Sequence, residues 1–223
     1  MDDGLRFQLP PERPSLAGRS VFLSTSIPDP ERWSGYADPL EITDAVVSLA
    51  RACLTAGLGV VTAAHPTIAP LLLYVAAELP AEHAARIVIY QSELFDEVLP
   101  PATRRLAEEG IGEMVWTPAE PGEEPVPGRW DGSLLRMRQQ MLREVEPAAA
   151  VFVGGMEGIA EEFALFAEIR PKAPVYPIAA PGGEARRLIE RLPDPRLPEL
   201  LESRVYPTLW SRVLDDLEAT PGD

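Results

Sequence analysis

Two sets of residues in this chain have the type and spacing for anion chemistry. One is the glycine set Gly154, Gly155 and Gly158; the other is the charged pair Arg138 and Glu162 on the flanking helical stretches. Paired glycines let the backbone approach a ligand with no Cβ in the way, and a helix start behind them offers unpaired N–H groups and the positive end of a dipole. A phosphate suits such a turn, so Gly154, Gly155, Met156, Glu157 and Gly158 are all candidate ligand contacts. In the helix expected over 133–145, Leu134, Met137, Met141 and Val145 share one face, and Arg138 falls in the middle of it. Buried arginine needs a partner, so Arg138 is expected to enter a site or a buried ion pair, the alternative being that it snorkels to water from the end of the face. After Gly158, Ile159, Phe163, Phe166 and Ile169 define an inner face, with Glu162 on its border and Glu161 and Glu168 outside. Glu162 is therefore the carboxylate expected in the site; the alternative is a solvated glutamate.

These groups need strands to carry them. Short apolar runs bounded by turn residues read as buried strands at 20–26, 58–63, 86–91, 112–117, 148–153 and 173–178, and helical patterns alternate with them. That alternation predicts an α/β fold, a single domain with a mainly parallel sheet flanked by helices. Ligands of such sheets lie beyond the strand C-termini, which makes Ser24, Thr25, Ser26, His65 and Gln91 candidates for ribose, base or phosphate contacts. Each hydroxyl, taken singly, could equally cap a turn. A second glycine pair, Gly182 and Gly183, follows the last strand and opens another helix. Two such turns suggest one shared ligand crevice. Asp38 is the expected N-cap of the first long helix, with Pro39 behind it and Glu41 in the capping-box place. The acidic, proline-rich stretch 118–131 is long enough to act as a flap. Residues 1–18 read as an irregular leader, 19–192 as the domain and 193–223 as a helical tail packed through Leu197, Leu200, Leu201, Trp210, Val213, Leu214 and Leu217.

Composition bounds the function classes. With 223 residues, the chain is long enough for a sizeable core, and a net charge of −15 disfavours nucleic acid and anionic lipid as partners. No apolar run approaches the length of a membrane helix and the first residues lack a secretory h-region, so a cytoplasmic protein is expected. The single Cys53 excludes an internal disulfide. His65 and His83 have no carboxylate or thiol at ligand spacing, so no metal is expected, and no cofactor motif stands out.

The stretches SVFLSTSIPDP, TAAHPTIAPLL, IYQSELF, AAVFVGGMEGIAEEF and VYPIAAPGGEARRL, in that order, resemble the SLOG superfamily. They are most similar to its cluster-3 members, relatives of the LONELY GUY phosphoribohydrolases and SMF-type proteins. The resemblance implies a Rossmann-like fold binding a nucleotide or a nucleotide derivative. In LONELY GUY enzymes a PGGxGTxxE motif and an arginine sixteen residues before the glycine pair cleave an N-glycosidic bond. Arg138 matches that arginine; Glu162 matches the glutamate counted from Gly158, and Glu161 counted from Gly154. The pattern departs from the enzymes where Val153 replaces proline, Ile159 replaces threonine and one residue is inserted in the turn. The resemblance thus implies a sensor of a nucleotide-derived signal, such as an ADP-ribose derivative, in bacterial antiphage or stress immunity, coupled to a separate effector such as a TIR protein. Its alternative is a phosphoribohydrolase acting on nucleoside monophosphates through Arg138 and Glu162. A homodimer is expected from the family analogy and the apolar tail.

Overall fold

The computed structural model describes residues 12–84, 86–126, 131–192, 196–198 and 201–220. The expectations for leader residues 1–11, for residues 127–130 of the flap and for Leu200 lie outside these. Six strands, β1 (Ser20–Ser26), β2 (Gly59–Ala63), β3 (Ile87–Ser92), β4 (Glu113–Thr117), β5 (Ala149–Gly154) and β6 (Val175–Ile178), form one sheet in the order β4-β3-β2-β1-β5-β6. Every pairing is parallel. The chain steps outward from β1 to β4, then returns to β1's other side for β5. β1 and β5 run in register from Val21 opposite Ala149 to Ser26 opposite Gly154, so a crevice opens above their C-terminal ends, the usual ligand position in doubly wound sheets.

The sheet is buried on both faces, which is why its central strands read as continuous apolar runs. One face packs against α1 (Pro39–Ala56), α2 (Ala69–Ala77) and α8 (Tyr206–Ala219), through Val21, Leu23, Val60, Val151, Leu49, Leu72 and Trp210. The other packs against α5 (Asp131–Val145), α6 (Glu157–Ile169) and α7 (Gly183–Leu188), around Phe22, Phe152, Met137, Met141 and Phe166. Phe22 stacks on Phe166 and meets Phe152 edge-on, each at 6.1 Å between centroids. Two short helices, α3 (Ala81–Ala84) and α4 (Pro101–Glu108), and a 3-10 segment over Glu93–Val98 complete the connections between β2 and β4.

α1 begins as the sequence predicts at its cap: Asp38 Oδ1 accepts from the N–H of Leu40 at 3.0 Å and of Glu41 at 3.1 Å. The capping box does not close. The Asp38 N–H donates to Pro181 O at 2.9 Å, and the Glu41 carboxylate instead takes Arg204 and the Tyr206 hydroxyl. The tail also differs from expectation. Among its described residues the long helix starts at Tyr206; Leu201 O instead accepts the N–H groups of Ala179 and Ala180, at 2.8 and 3.1 Å, and so serves the end of β6. α8 then docks on α1, where the buried Trp210 donates through Nε1 to Ala45 O at 3.0 Å. No helix among the described residues is long and apolar enough to cross a membrane.

Candidate functional site

Above the C-terminal ends of β1 and β2, between α5 and the start of α6, lies a cavity of about 700 Å3, within the range of small-molecule sites. Its floor is the end of β1 (Ser24, Thr25, Ser26) and of β2 (Thr62, Ala63), with His65 beyond. One wall is α5 with Arg138; the other is the first turns of α6, Met156 to Glu162.

Arg138 and Glu162 meet across the two walls. Arg138 Nε donates to Glu162 Oε1 at 2.9 Å, and its Nη1 donates to Glu161 Oε2 at 3.0 Å. The second oxygen of Glu162 accepts from the Ser24 hydroxyl at 2.5 Å. Glu162 is therefore fixed from two sides by groups on α5 and β1. The Arg138 and Glu162 side chains are 15% and 13% exposed, whereas Glu161 is 70% exposed. The buried half of the pair is the half that matters, because solvent screens the outer contact. A Cβ on Gly158 would lie 3.2 Å from Arg138 Nη2, so this glycine gives the guanidinium room against α6.

The helix behind the glycine turn is expected after Gly158 and starts two residues earlier, at Glu157, with Met156 as an N-cap that makes no side-chain cap bond. The Ile159 N–H donates to Met156 O at 2.9 Å, and the N–H groups of Glu157 and Gly158 precede the helix's own hydrogen bonds. The amide of Gly155 is already engaged, donating to Ser26 O at 2.8 Å, and Gly154 and Gly155 lie behind the cavity lining rather than in it. Both have φ in the left-handed region, +63° and +75°. They form the turn that swings the chain from β5 into α6.

The second glycine pair has another purpose than the one expected. Gly182 and Gly183 are also absent from the cavity lining. Gly183 donates its N–H to Tyr36 O at 2.8 Å, and the Glu184 N–H donates to Gly155 O at 2.9 Å. A Cβ on Gly182 would come within 2.2 Å of Tyr36 O, and one on Gly183 within 2.4 Å of Gly154 C. The two glycine turns touch each other, backbone to backbone. Gln91 likewise stands away from the cavity; it is buried two strands from β1 and donates to Phe95 O at 3.3 Å.

His65 does line the cavity. Its Nδ1 faces the Thr67 hydroxyl at 2.9 Å and accepts the Thr67 N–H at 3.4 Å, and burial lowers its pKa from 6.5. A ring that accepts at Nδ1 is neutral and carries its proton on Nε2. Thr25 Oγ1 is buried with no hydrogen-bond partner. No group of three or more His, Cys, Asp or Glu among the described residues could hold a metal ion.

Sequence reasoning missed Arg32, Asp131, Leu134 and Thr62 as cavity residues. Arg32 sits in the loop after β1, anchored by its own N–H and that of Trp33 to Asp29 O, at 3.0 and 2.8 Å. Trp33 is buried beneath the Arg187 guanidinium, 4.4 Å from its ring centroid. An exposed arginine in an irregular proline-rich loop leaves no periodic signal. The 118–126 part of the flap is tied down: Glu123 accepts the N–H groups of Gly132 and Ser133 at 2.7 and 2.8 Å.

The profile of the SLOG cluster3 family matches residues 32–214, from the loop after β1 to within α8. The chain belongs to the SLOG cluster3 family. Among solved structures it is similar to the X-ray structure of TM1055, a structural genomics target. That match has a TM-score of 0.55 and 14% identity, and it covers 89% of this chain and 99% of the other. At that identity the likeness shows a shared Rossmann-like fold. No curated protein matches the sequence. For a SLOG protein, the cavity lies where the doubly wound sheet puts a nucleotide.

Proposed function

We propose that this SLOG protein is a receptor for a nucleotide-derived small molecule, an ADP-ribose derivative or a similar phosphorylated nucleoside, in bacterial antiphage or stress immunity. The observation that carries this reading is the Ser24–Glu162–Arg138 network at the floor and wall of the switch-point cavity. It is a preformed polar surface, held from two elements, that can accept ribose hydroxyls without reorganisation. The uncapped first turn of α6 offers N–H groups to a phosphate. Output would pass to a separate effector of TIR type or similar, and the working unit would be a homodimer.

The second reading is a nucleoside 5'-monophosphate phosphoribohydrolase. It is favoured by one feature: Arg138 and Glu162 touch in the cavity at the spacing that the resemblance to LONELY GUY enzymes requires. In that reaction Glu162 would stabilise positive charge developing at the anomeric carbon, and Arg138 would hold the sugar phosphate.

Thermal unfolding with AMP, NAD and ADP-ribose, together with an assay for released ribose 5-phosphate, separates the two. A receptor gains about 2.7 kcal/mol at a ligand concentration 100 times its dissociation constant and releases no sugar phosphate. A hydrolase releases it, and Glu162→Gln slows release by about 100-fold or more. Stabilisation by none of the three, with no release, removes both readings.

A further inference from the structure

The charges around the cavity constrain its guest. Among the described residues, its lining carries the carboxylates of Asp131, Glu157, Glu161 and Glu162 against the guanidiniums of Arg32 and Arg138. Arg138 is already shared between Glu161 and Glu162. Arg32 is therefore the one cavity cation among the described residues without a carboxylate, and Asp131 and Glu157 are exposed acids without a cation.

The helix ends tell the same story. α5 and α6 both direct a first turn at the cavity, and each first turn carries its own acid, Asp131 and Glu157. At α5 the first N–H groups are already taken by Glu123. The positive end of α5 is thus taken by a carboxylate before any ligand arrives, and that of α6 carries Glu157 beside its uncapped N–H groups.

Resting on the nucleotide reading above, we infer that this site selects by charge. It admits one phosphate, or a pyrophosphate blocked at both ends, which Arg32 receives; Asp131 and Glu157 repel a terminal polyphosphate tail. The physical basis is that each added ligand charge meets a cavity rim of the same net sign, in a crevice whose low-dielectric walls weaken screening.

The test is calorimetric titration with adenosine, AMP, ADP-ribose, ADP and ATP at low ionic strength without divalent cations. The wild-type protein binds AMP and ADP-ribose most tightly, with affinity falling about tenfold to ADP and again to ATP. Arg32→Ala brings AMP down to the level of adenosine. The double variant Asp131→Asn/Glu157→Gln, at two exposed positions, brings ATP to within about threefold of AMP. ATP binding as tightly as AMP in the wild-type protein, or a ladder unchanged in the double variant, overturns this inference while leaving nucleotide binding intact. If none of the five binds, the nucleotide reading fails and the charge selection fails with it.

Discussion

At the scale of single residues, Glu162 shows how position and identity combine. Its carboxylate is held by Arg138 from one helix and Ser24 from a strand, so both oxygens have a donor. Arginine serves here because its fork reaches Glu162 and Glu161 from two nitrogens at once, which a lysine ammonium does less well. His65 gives the site a pH dependence. Burial lowers its pKa from 6.5, so in acid the unfolded chain takes up the proton more readily than the folded one. The His65 contribution is therefore complete above 6.5, is lost as pH falls from there through the lower folded value, and then levels off. Melting temperature measured from pH 7.5 to 5 should show that decline, and His65→Asn should flatten it. Cys53 has no comparable role: burial pushes its thiol up to about 12, which keeps it protonated and inert.

At the scale of elements, the two glycine turns are best understood as one contact. The N-terminus of α7 is pressed against the turn between β5 and α6 at Gly183 and against Tyr36 at Gly182, so that a Cβ at either position meets backbone. Gly183→Ala places a Cβ 2.4 Å from Gly154 C at a φ of +72°. It should cost about 2–4 kcal/mol, read as a lower denaturant midpoint with unchanged m. The glycine pairs were visible in the sequence, but their purpose was not, because a motif such as GG looks the same whether the close neighbour is a phosphate or another stretch of backbone. The Arg138 and Glu162 placements were legible for the opposite reason. A charged residue inside an apolar helical face violates burial, and the violation itself points at a partner. Arg32 broke no pattern and so left nothing to read.

At the scale of the whole molecule, the strand and helix order was legible because a parallel sheet buried on both faces writes apolar runs of strand length between helical repeats. The start of the last helix was not. Leu201 lies in a leucine-rich stretch that reads as helix, yet its carbonyl is committed to Ala179 and Ala180, a contact separated by more than twenty residues in sequence. α8 itself belongs to the main core rather than to an appendage, with Trp210, Leu209 and Leu217 fully buried against α1 and its neighbours. Trp210→Ala should cost about 3–5 kcal/mol, and chemical denaturation should show one cooperative transition at a lower midpoint rather than separate melting of the tail.

The first described turn of the chain is stapled to the last helix. Arg13 pairs with Asp215 and Glu218, Ser15 donates to Glu218, and Arg19 reaches Leu217 O. All of this happens where β1 begins, and the cavity lies where β1 ends, seven residues or about 23 Å away. A fluorophore or surface tether attached at Ser15 or Thr220 would thus sit at one pole of the sheet and leave the ligand's doorway at the other unobstructed.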